Sequence, residues 1–206
     1  IPTELLWFRL PAKNPDSVTE EAVDAEVDPV LTAEWGQRGT VEAVVALSGG
    51  GRVKRRIFLS LTGPALTAPA HQWLVQDPEP VISGLEGRRV GAAVTDRLPA
   101  MITELRALDD AAGGGDVLAL TRQHIGWITR LLDRASYDDT TGRKLHRALA
   151  ELGQLAGWAS FDTGKTGLAQ RYYIAALRAA HTAADRPLGA HILGSMAEQA
   201  AESEQP

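Results

Sequence analysis

The chain contains no cysteine among its 206 residues. That excludes a disulfide framework, a thiolate metal site and a cysteine nucleophile, and it fits a reducing cytoplasm. Basic charge is also scarce: 21 Lys and Arg face 26 Asp and Glu, for a formal net charge of −5. Phosphate-rich partners usually require the opposite balance. No apolar run approaches the ~18 residues of a membrane span, so no membrane partner is expected. No Gly-x-Ser-x-Gly elbow is present, and no pair of carboxylates is given a catalytic geometry by spacing. The chain is therefore expected not to be an enzyme, and no cofactor is expected.

The five histidines are His71, His124, His146, His181 and His191. None is paired at the four-residue spacing of a helical metal site with a suitable third ligand. No metal is expected, and surface or capping roles are their default.

The composition that remains is that of an ordinary globular protein, 44% hydrophobic and 23% charged. The length allows one domain or two small ones and a full core without staples. The sequence changes character near residue 90. Before that point Pro2, Pro11, Pro15 and Pro29 interrupt the chain, and the acidic stretch 16–28 reads as a solvated linker or helix face. Thr40 to Leu47 and Arg56 to Leu61, around Gly49-Gly50-Gly51, are too short for periodicity to separate a strand pair from two short helices. Residues 1–90 are accordingly read as an irregular amino-terminal region or linker, holding a short hairpin or short helices.

From residue 91 to 206 the pattern is helical. Thr95 or Asp96 is suited to cap a helix whose stripe is Leu98, Ile102, Leu105 and Leu108. Gly113-Gly114-Gly115 ends it, and Asp116 is suited to cap the next, carrying Leu118, Ile125, Ile128 and Leu132. Ser136 to Thr141 is a polar break. Leu145, Ala148, Leu149, Leu152 and Ala156 form a third stripe. After a turn at Asp162 to Gly167, Leu168, Ala169, Tyr173, Ala176 and Ala180 form a fourth. Pro187 opens a fifth helix with Leu188, Ile192 and Met196.

Helix, turn, helix at a period in the thirties points to a repeat. With Gly157 at the eighth position of a tetratricopeptide unit, Ala169, Tyr173 and Ala176 fall where that pattern takes Ala, an aromatic and Ala. Small residues let two antiparallel helices approach closely, and the aromatic fills the gap. Gly194, 37 residues after Gly157, marks the same point in the next helix. Gly153 and Ser160 depart from the pattern, which has aromatics there. The expected fold is all-α, with tetratricopeptide-like antiparallel hairpins over 91–206. This alignment turns Glu151, Gln154, Trp158, Phe161 and Asp162 to the concave side as the ligand- or partner-binding candidates.

Two look-alikes are set aside. Ala159 to Thr166 fits the loosest phosphate-loop pattern, but a helical stripe precedes it where that loop needs a buried strand. Lys54-Arg55-Arg56 ahead of an alanine-rich stretch imitates a twin-arginine signal, yet begins more than fifty residues into the chain.

From about Arg55 onward the chain resembles a group of actinobacterial regulators with an Xre-type helix-turn-helix followed by tetratricopeptide-like repeats. The resemblance lies in RRIFLSLTGPALTAPAHQWLV, from Arg55, and in RALAELGQLAGWASFDTGKTGLAQRYYIAALRAAHTAADRPLGAHILGSMAEQAA, from Arg147. It implies a cytoplasmic transcriptional regulator whose repeats sense a peptide, small molecule or protein. No helix-turn-helix is found in residues 1–90. DNA binding is therefore expected only through an amino-terminal module absent from this chain. The second class of function is a scaffold or dimerisation module that does not bind DNA, with residues 96–134 joining two copies as a homodimer.

Overall fold

The structure, a computed structural model, describes residues 28–48, 59–81, 89–112 and 114–203. Among these it is all-α. In chain order the helices are α1 (Pro29–Thr32), α2 (Gln37–Ser48), α3 (Pro64–Val75), α4 (Ala92–Thr95), α5 (Leu98–Ala112), α6 (Gly114–Arg134), α7 (Asp139–Asp162), α8 (Thr166–Thr182) and α9 (Arg186–Ser203). A lone bridge between Arg89 and Ser136 is the sole β-type pairing among the described residues.

Local chemistry sets the helix ends. Asp138 Oδ1 accepts from Thr141 N at 2.7 Å and starts α7. That bond, with the Thr141 side chain, holds Asp138 below the usual carboxylate range. Asp185 Oδ1 accepts from Leu188 N at 3.0 Å at the start of α9. α7 ends on two paired main-chain bonds, Gly164 N to Phe161 O and Lys165 N to Ser160 O, with Gly164 at φ +73°. α8 ends the same way at Ala184, but with an alanine at φ 57°.

The turns after α7 and α8 are short and reverse the chain. Lys144 Nζ meets Asp96 and Arg106 meets Glu151, which lays α5 beside α7 in the same direction. Arg147 meets Asp185 and Gln154 meets Ser195, which does the same for α9. α5, α7 and α9 thus form one layer, with α6 and α8 behind it. α1, α2 and α3 cover the back of the second layer. α8 is therefore enclosed, and every residue from Gly167 to Thr182 is buried.

The expected stripes are mostly core. Ile125, Ile128, Leu145, Leu149, Leu152, Ala169, Tyr173, Ala176 and Ile192 are all buried. The small-residue contacts hold as well. A β-carbon on Gly157 would lie 2.6 Å from Tyr173 Cε1, and one on Gly153 would lie 3.0 Å from Ala176 Cβ. At Gly153, where the repeat pattern has an aromatic, close approach of α7 and α8 leaves no room for one.

Four expectations change. Thr95 and Asp96 do not cap α5, because they end the one-turn α4. Asp116 lies inside the first turn of α6 rather than ahead of it, since the helix already begins at Gly114. Leu108 is exposed, so the buried stripe of α5 ends at Leu105. Gly194 meets nothing within 4 Å, so it does not repeat the packing role of Gly157.

The choice left open at Thr40 to Leu47 resolves to helix: Thr40, Ala43, Val44 and Leu47 form one buried stripe on α2. Gly49-Gly50-Gly51, Arg55, Arg56 and the acidic stretch before Asp28 lie outside the described residues.

Candidate functional site

The five candidate residues share one line on α7. Glu151 and Gln154 are partly buried, Trp158 is 38% exposed, Phe161 is partly buried and Asp162 is exposed. The line follows from spacing of three and four residues on a helix whose other faces are taken by α6 and α8. α5 flanks it on one side and α9 on the other, and the strip of α7 between these two parallel helices is the candidate groove.

Polar side chains tie the first half of the groove across its width. Glu151 receives Arg106 of α5 at 3.3 Å and Arg147 of its own helix at 3.3 Å, and Arg147 also reaches Asp185 at 3.5 Å. Gln154 Nε2 donates to Ser195 Oγ of α9 at 3.4 Å. Such partly exposed ion pairs contribute about 0–1 kcal/mol each. Their effect is to fix side-chain positions on this strip.

The second half is different. Trp158 and Phe161 meet edge to face, with ring centroids 6.4 Å apart. Beyond them Asp162 ends α7 while Asp109 and Asp110 lie in the last turn of α5. Burial, and then the carboxylates of Asp162 and Asp110, raise Asp109 above the ordinary carboxylate range. Asp109 Oδ1 is buried with no hydrogen-bond partner among the described residues. The carboxyl ends of two parallel helices point here as well, adding partial negative charge. The groove thus runs from a charge-paired start to an aromatic, acidic end.

The chain was compared with family models, curated proteins and solved structures, and nothing matched.

Other sequence candidates separate clearly. Gly157, Ala169, Tyr173 and Ala176 lie together between α7 and α8 and face no solvent. Ala159 to Thr166 is the end of α7 and the following turn, with a helix where a phosphate loop needs a strand. No group of described residues is placed to hold a metal ion.

Surface roles do not hold for two histidines. His146 is fully buried on α7, and burial, then Arg143, push its pKa down to about 3. His181 is buried on α8, its Nε2 3.0 Å from Gln76 O and its ring edge-on to Trp35. Both lie on helix faces that spacing alone marks as inward, and only their polarity suggests surface.

Arg106, Asp109 and Ser195 belong to the groove and were not foreseen. They sit on neighbouring helices, and nothing in the register of α7 reveals which residues of α5 and α9 line up beside it.

Proposed function

We propose that this chain is the ligand- or protein-binding regulatory region of a bacterial transcriptional regulator, built on tetratricopeptide-type hairpins and working in the cytoplasm. The observation that carries the reading is Trp158, kept 38% exposed on the strip of α7 between two parallel helices. An indole left in contact with water on a fixed helix is a ready anchor for a partner side chain. The layering of α5, α7 and α9 over α6 and α8, and the fit of Gly157 to Tyr173, support the repeat. No helix is long and apolar enough to cross a membrane among the described residues. The proposal assigns the chain no catalytic step.

The partner is a peptide, small molecule or protein. Its binding would alter how α5 and α9 sit against α7, and a DNA-binding module outside this chain would read the change. A random peptide library panned against the chain and against Trp158→Ala tests this. Enrichment of a shared motif by the native chain, lost in the variant, is expected. Equal enrichment by both, or none by either, sinks the groove as the binding site. Residues 1–206 alone are expected not to shift operator DNA in a gel.

A scaffold or dimerisation role is the second reading, favoured by one feature. Met101, Gln123, His124 and Trp127 line an open hollow of about 370 Å³ between α5 and α6, with Leu120 exposed nearby. Sedimentation equilibrium separates the readings: a dimer abolished by Trp127→Ser supports the second, a strict monomer the first.

A further inference from the structure

The two halves of the α7 strip differ in how their acids are neutralised. In the first half both carboxylates are matched: Glu151 holds Arg106 and Arg147, and Asp185 holds Arg147. In the second half Asp109, Asp110 and Asp162 make no ion pair among the described residues. The cations nearest to them in sequence do not serve. Arg106 is engaged by Glu151, and Lys165 stands exposed in the turn after α7 without an ion pair among the described residues. Asp109 feels the lack most, since burial and then the carboxylates of Asp162 and Asp110 raise it, and its Oδ1 is buried without a hydrogen-bond partner among the described residues. A carboxylate so placed gains from a positive charge brought beside it.

An independent feature adjoins these acids. Trp158 lies one helical turn before Asp162 on the same face and is 38% exposed, with Phe161 edge to face at 6.4 Å. Two other indoles of the chain carry a guanidinium: Arg178 stands 4.8 Å from the Trp35 ring and Arg186 5.6 Å from the Trp73 ring. Trp158 has no such cation among the described residues. Exposed aromatic surface and unmatched negative charge therefore meet at one end of the strip, and both favour the same chemistry.

We propose that the aromatic, acidic end of the α7 strip seats a basic side chain, lysine or arginine, from a peptide segment of another protein. The proposal rests on the regulatory-region reading of that strip and adds the charge of the partner. The apolar stem of the side chain lies along Trp158 and Phe161, and its charged head meets Asp162, Asp109 and Asp110. An acidic segment is repelled there, and an apolar one leaves the three carboxylates unmatched.

The test uses the full chain and a random peptide library. Panning is done against the native chain, Trp158→Ala and Asp110→Asn/Asp162→Asn, the last at two exposed positions where asparagine leaves packing unchanged. The motif lost in Trp158→Ala is expected to carry lysine or arginine at one fixed position. A labelled synthetic peptide of that motif is then followed by fluorescence anisotropy. It is expected to bind about tenfold less tightly to the double asparagine variant, and about tenfold less tightly when its basic residue is replaced by methionine. Both changes together are expected to cost little more than either alone, because each removes the same contact. A Trp158-dependent motif without a fixed basic residue, or equal binding by the asparagine variant, overturns the proposal and leaves the groove reading intact. Absence of any Trp158-dependent motif overturns both.

Discussion

The ring of Tyr173 occupies the space that a methyl group on Gly157 would need, 2.6 Å from Cε1 and 2.7 Å from Cδ1. Tyr173 is fully buried, so the ring has no free direction in which to move. Gly157→Ala is therefore expected to destabilise the protein by about 1–3 kcal/mol, even though alanine favours helix. Gly194→Ala is the control. Nothing lies within 4 Å of its β-carbon, and a gain of about 0.5–1 kcal/mol is expected from propensity. Urea unfolding of both variants checks the contrast, and equal effects would refute the packing account.

Arg178 ties the start of the described chain to α8. Its guanidinium, on a fully buried side chain, donates to the carbonyls of Val30, Ala33 and Glu34 at 2.8–3.1 Å and stacks 4.8 Å from the Trp35 ring. Burial lowers its pKa to about 10, so it remains charged at neutral pH. Arg178→Met leaves those carbonyls unpaired and is expected to cost about 3–5 kcal/mol. Arg178→Lys is expected to recover less than half, since one ammonium does not span the set. Chemical denaturation followed by tryptophan fluorescence measures both. A loss under 1 kcal/mol for the methionine variant would contradict the assignment.

Ala184 holds a left-handed backbone conformation, φ 57°, at the end of α8, and is exposed. The equivalent turn after α7 uses Gly164 at φ +73°. Ala184→Gly removes the β-carbon clash with the following carbonyl and is expected to stabilise by about 1 kcal/mol. A lowered thermal midpoint would show that the alanine is not strained.

What the sequence disclosed, and what it hid, has a physical cause in each region. Long helices carry several turns of pattern, so the stripes of α6, α7 and α8 and their polar breaks were readable. The groove line on α7 was readable for the same reason, since it is the face complementary to Leu145, Leu149 and Leu152. α2 was not, because its buried stripe begins with Thr40 and Ala43, neither a strong apolar signal. Thr40 is buried because its hydroxyl lies 3.0 Å from that of Thr182, 142 residues away. The same holds for Gln170, Arg171 and Arg178. Their polarity suggests surface, and only contacts with distant main chain explain their burial. Alignment of Gly194 with Gly157 captured spacing but not environment, which depends on what packs against each helix.

His146 makes stability depend on pH. It is fully buried, and neither ring nitrogen has a hydrogen-bond partner among the described residues. Burial, and then the positive charge of Arg143, push its pKa from 6.5 down to about 3. The unfolded chain therefore binds more protons than the folded one between pH 6.5 and about 3, and stability rises with pH across that window. The contribution is complete above pH 6.5 and is lost as pH falls below it. Between pH 6.5 and pH 5 the loss is expected to be about 2 kcal/mol. The measurement is a set of urea midpoints from pH 7.5 to 4.5 for the native chain and for His146→Leu. The variant lacks the titrating group, so its stability is expected to fall less steeply by about one proton's worth of slope. Parallel curves for the two proteins would mean that His146 is protonated inside the fold, which no contact on α7 accommodates.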